Sequence, residues 1–239
     1  MDTLDPFAAN YPAPTAARPL LGLTVLVVED SRYACEAMRL LCLRSGARIR
    51  RADCIRSARR HLQVYRPSVV VIDMGLPDGN GADLIAELAQ IEVEKSVVLA
   101  TSGDDSLEDE ARAAGAEGFL SKPITSLAVF QQMVLAALPR DRQPPGLRAM
   151  QDEQIAPDEI AYHDDINYAA ELLENAPTDQ ALDYIAQFLE GVARSISDDK
   201  METAARALAG RRAAGEPAAS EAAQIAGLIQ ERLARKVAI

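Results

Sequence analysis

Residues 69–81 read VVVIDMGLPDGNG, an apolar run that ends on a carboxylate, Asp73, and breaks at once into Gly and Pro. Val and Ile in unbroken succession fit a strand buried on both faces, and the Gly-Leu-Pro-Asp-Gly that follows stops it. A carboxylate at the end of such a strand either caps the turn behind it or meets a partner that offsets its charge.

Outward from this stretch the same pattern repeats. Leu23 to Val28, Ala47 to Ile49, Ser68 to Asp73, Ser96 to Thr101 and Gly118 to Leu120 are short, mostly apolar and β-branched. Between and after them, helical spacing covers about 31–45, 55–65, 81–90, 106–115 and 125–138. Gly46 and Gly115 follow two of these segments as helix stops, and Pro67 precedes the third strand. Five strands alternating with five helices predict an α/β fold, a doubly wound parallel sheet covered on both faces.

In such a sheet, ligands bind at the carboxyl ends of the strands. Strand one ends in Glu29-Asp30, strand three in Asp73 and strand four in Thr101-Ser102, and strand five leads into Lys122-Pro123. Three carboxylates brought together repel one another and call for a cation, and an all-oxygen donor set with room for a phosphate oxygen suits Mg²⁺. Asp73 thus becomes a group that a metal neutralises and a phosphoryl group reaches, with Lys122 and a hydroxyl placed for phosphoryl oxygens.

Together these features resemble the receiver domain of bacterial two-component response regulators over the first 140 residues. VLVVEDS (25–31) is similar to that family's acidic pair, VVVIDMGLPDGNG to its phosphoacceptor strand, VVLATSG (97–103) to its strand-four hydroxyl, and GAEGFLSKP (115–123) to its Gly-Ala, aromatic and Lys-Pro positions. The resemblance implies a flavodoxin-like sheet of order 2-1-3-4-5. It also implies that Asp73 takes a phosphoryl group from a sensor histidine kinase or a histidine phosphotransfer protein. Asp30 would then bind Mg²⁺ directly, Glu29 through a water, and the Gly75 carbonyl as a further ligand. Lys122 would pair with a phosphoryl oxygen, Thr101 would be the switch hydroxyl and Phe119 the switch aromatic. The only catalysis implied is the domain's own phosphoryl transfer and slow autodephosphorylation. Two departures stand out. The segment after Thr101 is about one residue short for the family, which leaves Ser102 as a second candidate hydroxyl. Gly75 and Gly103 also lack the amide or acid side chains that some relatives carry there, leaving the phosphoryl lifetime open.

Composition bounds the rest. The chain has 239 residues, 49% of them hydrophobic, enough for one sizeable core and a smaller unit. No run approaches the roughly 18 apolar residues of a membrane span, and the acidic, Pro/Ala-rich start is unlike a signal peptide, so a cytoplasmic protein without membrane contact is expected. Cys35, Cys42 and Cys54 are odd in number and lack C-x-x-C spacing, which reads as reduced thiols without a role. Ten Arg between Arg32 and Arg66 read as a solvated face or a docking surface for an acidic partner, and His61 as a surface or packing histidine.

Residues 1–20 read as a flexible tail, 21–139 as the receiver unit, 140–157 as a Pro-punctuated linker and 158–239 as an α-helical region. Helices are expected from Ile160 to Leu173, after a Thr178 cap, over Met201 to Leu208, and after a Ser220 cap, with too few large apolar groups for a strong core of their own. Residues 150–199 carry 1 Lys/Arg and 13 Asp/Glu, whereas residues 200–239 carry 7 and 4. The acidic block repels nucleic acid, so the favoured reading is a module for a downstream protein target or for homodimerisation. A DNA-binding output is the alternative, carried by Arg206, Arg211, Arg212, Arg232, Arg235 and Lys236, although no helix-turn-helix pattern is evident. A third reading, phosphotransfer through His163, is opposed by the adjacent Asp164 and Asp165.

Overall fold

The computed structural model describes residues 13–91, 95–144, 153–175 and 178–235. Lys236, most of the first 20 residues and much of the expected linker lie outside them. Five parallel strands, β1 (Thr24–Val28), β2 (Arg48–Ala52), β3 (Val69–Asp73), β4 (Val97–Ser102) and β5 (Gly118–Ser121), form one sheet. Their order is 2-1-3-4-5, as expected. Helices α1 (Arg32–Ser45), α2 (Ile55–Val64), α3 (Gly81–Ala89) and α4 (Glu108–Ala114) make the crossovers, and α5 (Leu127–Ala137) follows the last strand.

Side chains alternate across the sheet and feed two cores. Val25, Val27, Val69, Val71 and Leu99 meet Met38, Leu41 and Phe130 of α1 and α5 on one face. Leu26, Val28, Val70, Ile72, Val98 and Ala100 meet Leu84, Ile85 and Ala111 of α3 and α4 on the other. Covering on both faces is why the central strands read as continuous apolar runs. β2 runs three residues past its expected end at Ile49, to Ala52. It lies at the sheet edge, where the arginine side chains of RIRRA reach solvent and mask the strand pattern.

Beyond the receiver unit, α6 (Glu159–Glu174), α7 (Asp179–Ser195), α8 (Asp199–Ala213) and α9 (Ala219–Ala234) form a bundle in which each helix packs on the next and α9 returns to α6. The four helices share a buried core. Ile166, Ile185, Phe188, Leu189, Met201, Leu208, Ile225 and Ile229 are buried together, with alanines letting the helices approach closely enough for these few large groups to suffice. Thr178 caps α7 as expected, its Oγ1 accepting from Ala181 N at 3.2 Å. Ser220 does not cap α9. It lies within the first turn and donates to Glu221 at 2.7 Å, and Ala218 holds the cap position without a side-chain bond. Within the stretch read as linker, Ile155 is buried in the receiver core and its N–H donates to Thr125 O at 2.7 Å.

Candidate functional site

The carboxyl edge of the sheet gathers the polar residues that the sequence places at strand ends. β1 delivers Glu29 and Asp30, β3 Asp73, β4 Thr101 and Ser102, and the loop after β5 Lys122, whose peptide bond to Pro123 is cis. One carboxylate oxygen from each of Glu29, Asp30 and Asp73 lies within 4.8 Å of the others, a grouping able to hold a metal ion. Lys122 Nζ sits 2.6 Å from Glu29 Oε2 and 3.1 Å from Asp73 Oδ2. Ser31 N donates to Glu29 Oε1 at 3.2 Å as the chain turns into α1.

Burial sets the electrostatics. Desolvation pushes the Glu29 carboxyl up to about 7 despite the nearby ammonium. Asp30 is raised by desolvation and then by Asp73, while Asp73 is raised by desolvation with Lys122 opposing. Burial pulls Lys122 down, but Asp73 and Glu29 outweigh it and hold the ammonium charged. One cation against three crowded, desolvated carboxyls leaves the pocket short of positive charge, and all its acidic ligands are oxygens. The donor set therefore fits a hard divalent cation.

Thr101 pairs in register with Asp73 and donates its hydroxyl to Leu120 O at 2.7 Å. Ser102 lines the pocket and accepts from Asp104 N at 3.0 Å. Phe119 is buried in the core on the α3 and α4 side of the sheet and does not line the pocket. Gly75 opens a short hairpin of Gly75–Leu76 with Gly79–Asn80 directly after Asp73.

Sequence reasoning misses the residues that close the pocket from the other side. Tyr184 on α7 donates its hydroxyl to Asp30 Oδ2. Gln187 packs so tightly on Gly75 that a Cβ there would lie 2.6 Å from its Cδ, and a Cβ on Gly103 would lie 3.4 Å from Gly191 Cα. The two glycines that depart from the expected side chains are thus where α7 comes down on the receiver. From α6, the buried Asp165 accepts from Ser31 Oγ at 2.7 Å, Arg32 N at 2.7 Å and Tyr33 N at 3.1 Å. It satisfies free N–H groups of the first turn of α1. A Tyr within an amphipathic helix carries no local signal of such a distant partner.

Other expectations fall outside the pocket. His163 faces Asn167 on its own helix, and His61 stacks edge-on against Tyr65. Burial pushes the Cys35 and Cys42 thiols up to about 12, as inert core thiols require. Among the described residues, no helix is long and apolar enough to cross a membrane.

A five-stranded 2-1-3-4-5 sheet with two acids after β1, one at the end of β3 and a lysine after β5 defines a receiver domain. Residues 25–134 match the response regulator receiver domain family, and that segment is a receiver domain. The KDP operon transcriptional regulatory protein KdpE of Escherichia coli is 30% identical over 116 residues, covering 48% of this chain and 51% of that protein. The virulence transcriptional regulatory protein PhoP of Salmonella typhimurium is 28% identical over 112 residues, covering 46% and 50%. The chain thus spans about half the length of the curated relatives it matches. A solved CheY-like receiver domain from Methylobacillus flagellatus aligns with 48% of this chain and 98% of its own at 27% identity, with a TM-score of 0.44.

Proposed function

We propose that the chain is a phosphorylation-dependent response regulator in which Asp73 accepts a phosphoryl group from a sensor histidine kinase or histidine phosphotransfer protein. The observation that carries this reading is the bridge of Lys122 between Glu29 and Asp73, with Asp30 beside them, on the carboxyl edge of a receiver sheet. An Asp73 oxygen attacks the phosphorus in line, the bond to the donor nitrogen breaks, and the donor histidine leaves with the electron pair. Lys122 covers charge on the transferred group, and positioning supplies most of the acceleration. Asp30, Asp73 and the Gly75 carbonyl would hold Mg²⁺, with Glu29 acting through a water. When bound, that ion would neutralise charge that builds on the phosphoryl oxygens. Thr101 is the switch hydroxyl in this reading, because it neighbours Asp73 in register and can exchange Leu120 O for a phosphoryl oxygen. Phe119 would follow it. The domain's catalysis extends only to its own phosphoryl gain and slow loss.

The output is a protein contact made by the helical region, in a cytoplasmic protein, with a homodimer as one form it can take. DNA binding is the second reading, because KdpE and PhoP are named as transcriptional regulators. Against it, Arg206, Arg211, Arg212, Arg232 and Arg235 are all paired with carboxylates of the bundle, whereas a recognition helix presents its cations to phosphates. The test is intact mass after incubation with acetyl phosphate and Mg²⁺. Wild type is expected to gain one phosphoryl group, and Asp73→Asn or chelated wild type none. Equal uptake by wild type and Asp73→Asn would reject the reading.

A further inference from the structure

The helical region does more than follow the receiver in sequence. Its principal packing on the receiver joins α6 and α7 to α1 and to the Gly75–Leu76 strand at the mouth of the acidic pocket. Three independent contacts fix it there. Asp165 binds the N-terminal turn of α1, Tyr184 binds the Asp30 carboxylate, and Gln187 fills the space over Gly75. Between them they enclose a cavity of about 310 Å³ lined by Asp30, Asp73 and Lys122 on one side and by Gln187, Glu190 and Gly191 on the other.

A donor that delivers a phosphoryl group in line with the Asp73 oxygen must enter through this mouth, and a cation held by Asp30 needs an oxygen to which Tyr184 now donates. Both approaches meet α7. We propose that α6 and α7 form an intramolecular cap over the acidic pocket, that docking of this cap opposes cation and phosphodonor binding, and that a bound cation or phosphoryl group in turn loosens the cap. The proposal rests on the reading of Asp73 as the phosphoryl acceptor. The coupling is reciprocal: whatever factor the cap takes from Mg²⁺ affinity, Mg²⁺ takes from cap docking. The helical surface freed from α1 and the pocket would then be presented only by the loaded protein, which gives the proposed protein output a physical trigger.

The experiment uses the full chain in three forms, wild type, Tyr184→Phe and Asp165→Asn. Tyr184→Phe removes one hydroxyl and keeps the ring that packs against Phe188. Mg²⁺ affinity is read by calorimetry, and backbone protection of α6 and α7 by hydrogen exchange with Mg²⁺ alone and with beryllofluoride, which stands in for the phosphoryl group. The expected result is an increase of about fivefold or more in Mg²⁺ affinity in Tyr184→Phe, and faster exchange across α7 in the beryllofluoride complex of wild type. Asp165→Asn is expected to shift both in the same direction. Unchanged Mg²⁺ affinity in both variants, with α7 equally protected in free and loaded wild type, overturns the cap. Failure of the underlying reading looks different, since no variant would then gain a phosphoryl group from acetyl phosphate while the Mg²⁺ measurements still report on the cap.

Discussion

Lys122 and Glu29 meet at 2.6 Å in a pocket where their side chains are only 10% and 2% exposed. The same ammonium reaches Asp73, so one cation compensates two buried acids, the three groups coming from the ends of three different strands. Removing it leaves both acids buried without their counter-charge. Lys122→Met is expected to destabilise the metal-free protein by about 3 kcal/mol. Urea unfolding in chelator measures this directly, and a loss below about 0.5 kcal/mol would mean the pocket is far more solvated than its burial indicates.

A divalent cation should offset the same crowding in wild type. Binding to the folded state alone adds RT ln(1 + [L]/Kd), about 2.7 kcal/mol at a hundredfold excess over Kd. Thermal melts are therefore expected to rise with Mg²⁺ in wild type and to stay flat in Asp30→Ala. A rise of equal size in Asp30→Ala would place the ion elsewhere.

In the bundle, Asp198 accepts from Arg232 Nε and Nη2, both at 2.8 Å, and also from the Tyr162 hydroxyl. The Arg232 guanidinium holds the Asp198 carboxyl below the usual aspartate range. A lowered carboxyl stabilises the fold above its unfolded value, about 3.9, and loses that contribution as pH falls through its folded value. The bundle is therefore expected to weaken on acidification below about pH 4, a leg that Asp198→Asn should lack. Arg232→Leu should cost about 3 kcal/mol near neutral pH, because it strands a mostly buried acid. Circular dichroism melts across pH test both statements.

Thr101 and Ser102 separate by the same logic. The Thr101 hydroxyl bonds the Leu120 carbonyl, whereas Ser102 Oγ accepts from Asp104 N. Thr101→Ala should still take up beryllofluoride at Asp73 yet lose most of the change in hydrogen exchange around β4 and β5, at a resting cost of about 1 kcal/mol. Ser102→Ala should keep that change. The reverse outcome would make Ser102 the switch.

The receiver half is legible in sequence because its signals are local. Val69 to Ile72 are apolar since both sheet faces are covered, and the acids stand out because they interrupt such runs at strand ends. β2 is harder to read, since its edge position allows arginines where a central strand needs apolar side chains. The bundle core is also hard to read because alanines such as Ala186, Ala204 and Ala205 add packing without adding apparent hydrophobicity. The closure of the pocket is not legible at all. Tyr184 and Asp30 lie 154 residues apart, and nothing in the spacing around either residue announces the other. Only Gly75 and Gly103, bare where a side chain is expected, hint that something else fills the space.

The central claim is that Asp73 carries the phosphoryl group, and locating that group tests it most directly. After incubation with acetyl phosphate and Mg²⁺, borohydride reduces an acyl phosphate on an aspartate to homoserine, and peptide mass spectrometry finds the converted position. Conversion at Asp73, within VVVIDMGLPDGNG, with Asp30 and Glu29 unchanged is the predicted result. Conversion at another residue, or none in protein that binds Mg²⁺ and is folded, would contradict it.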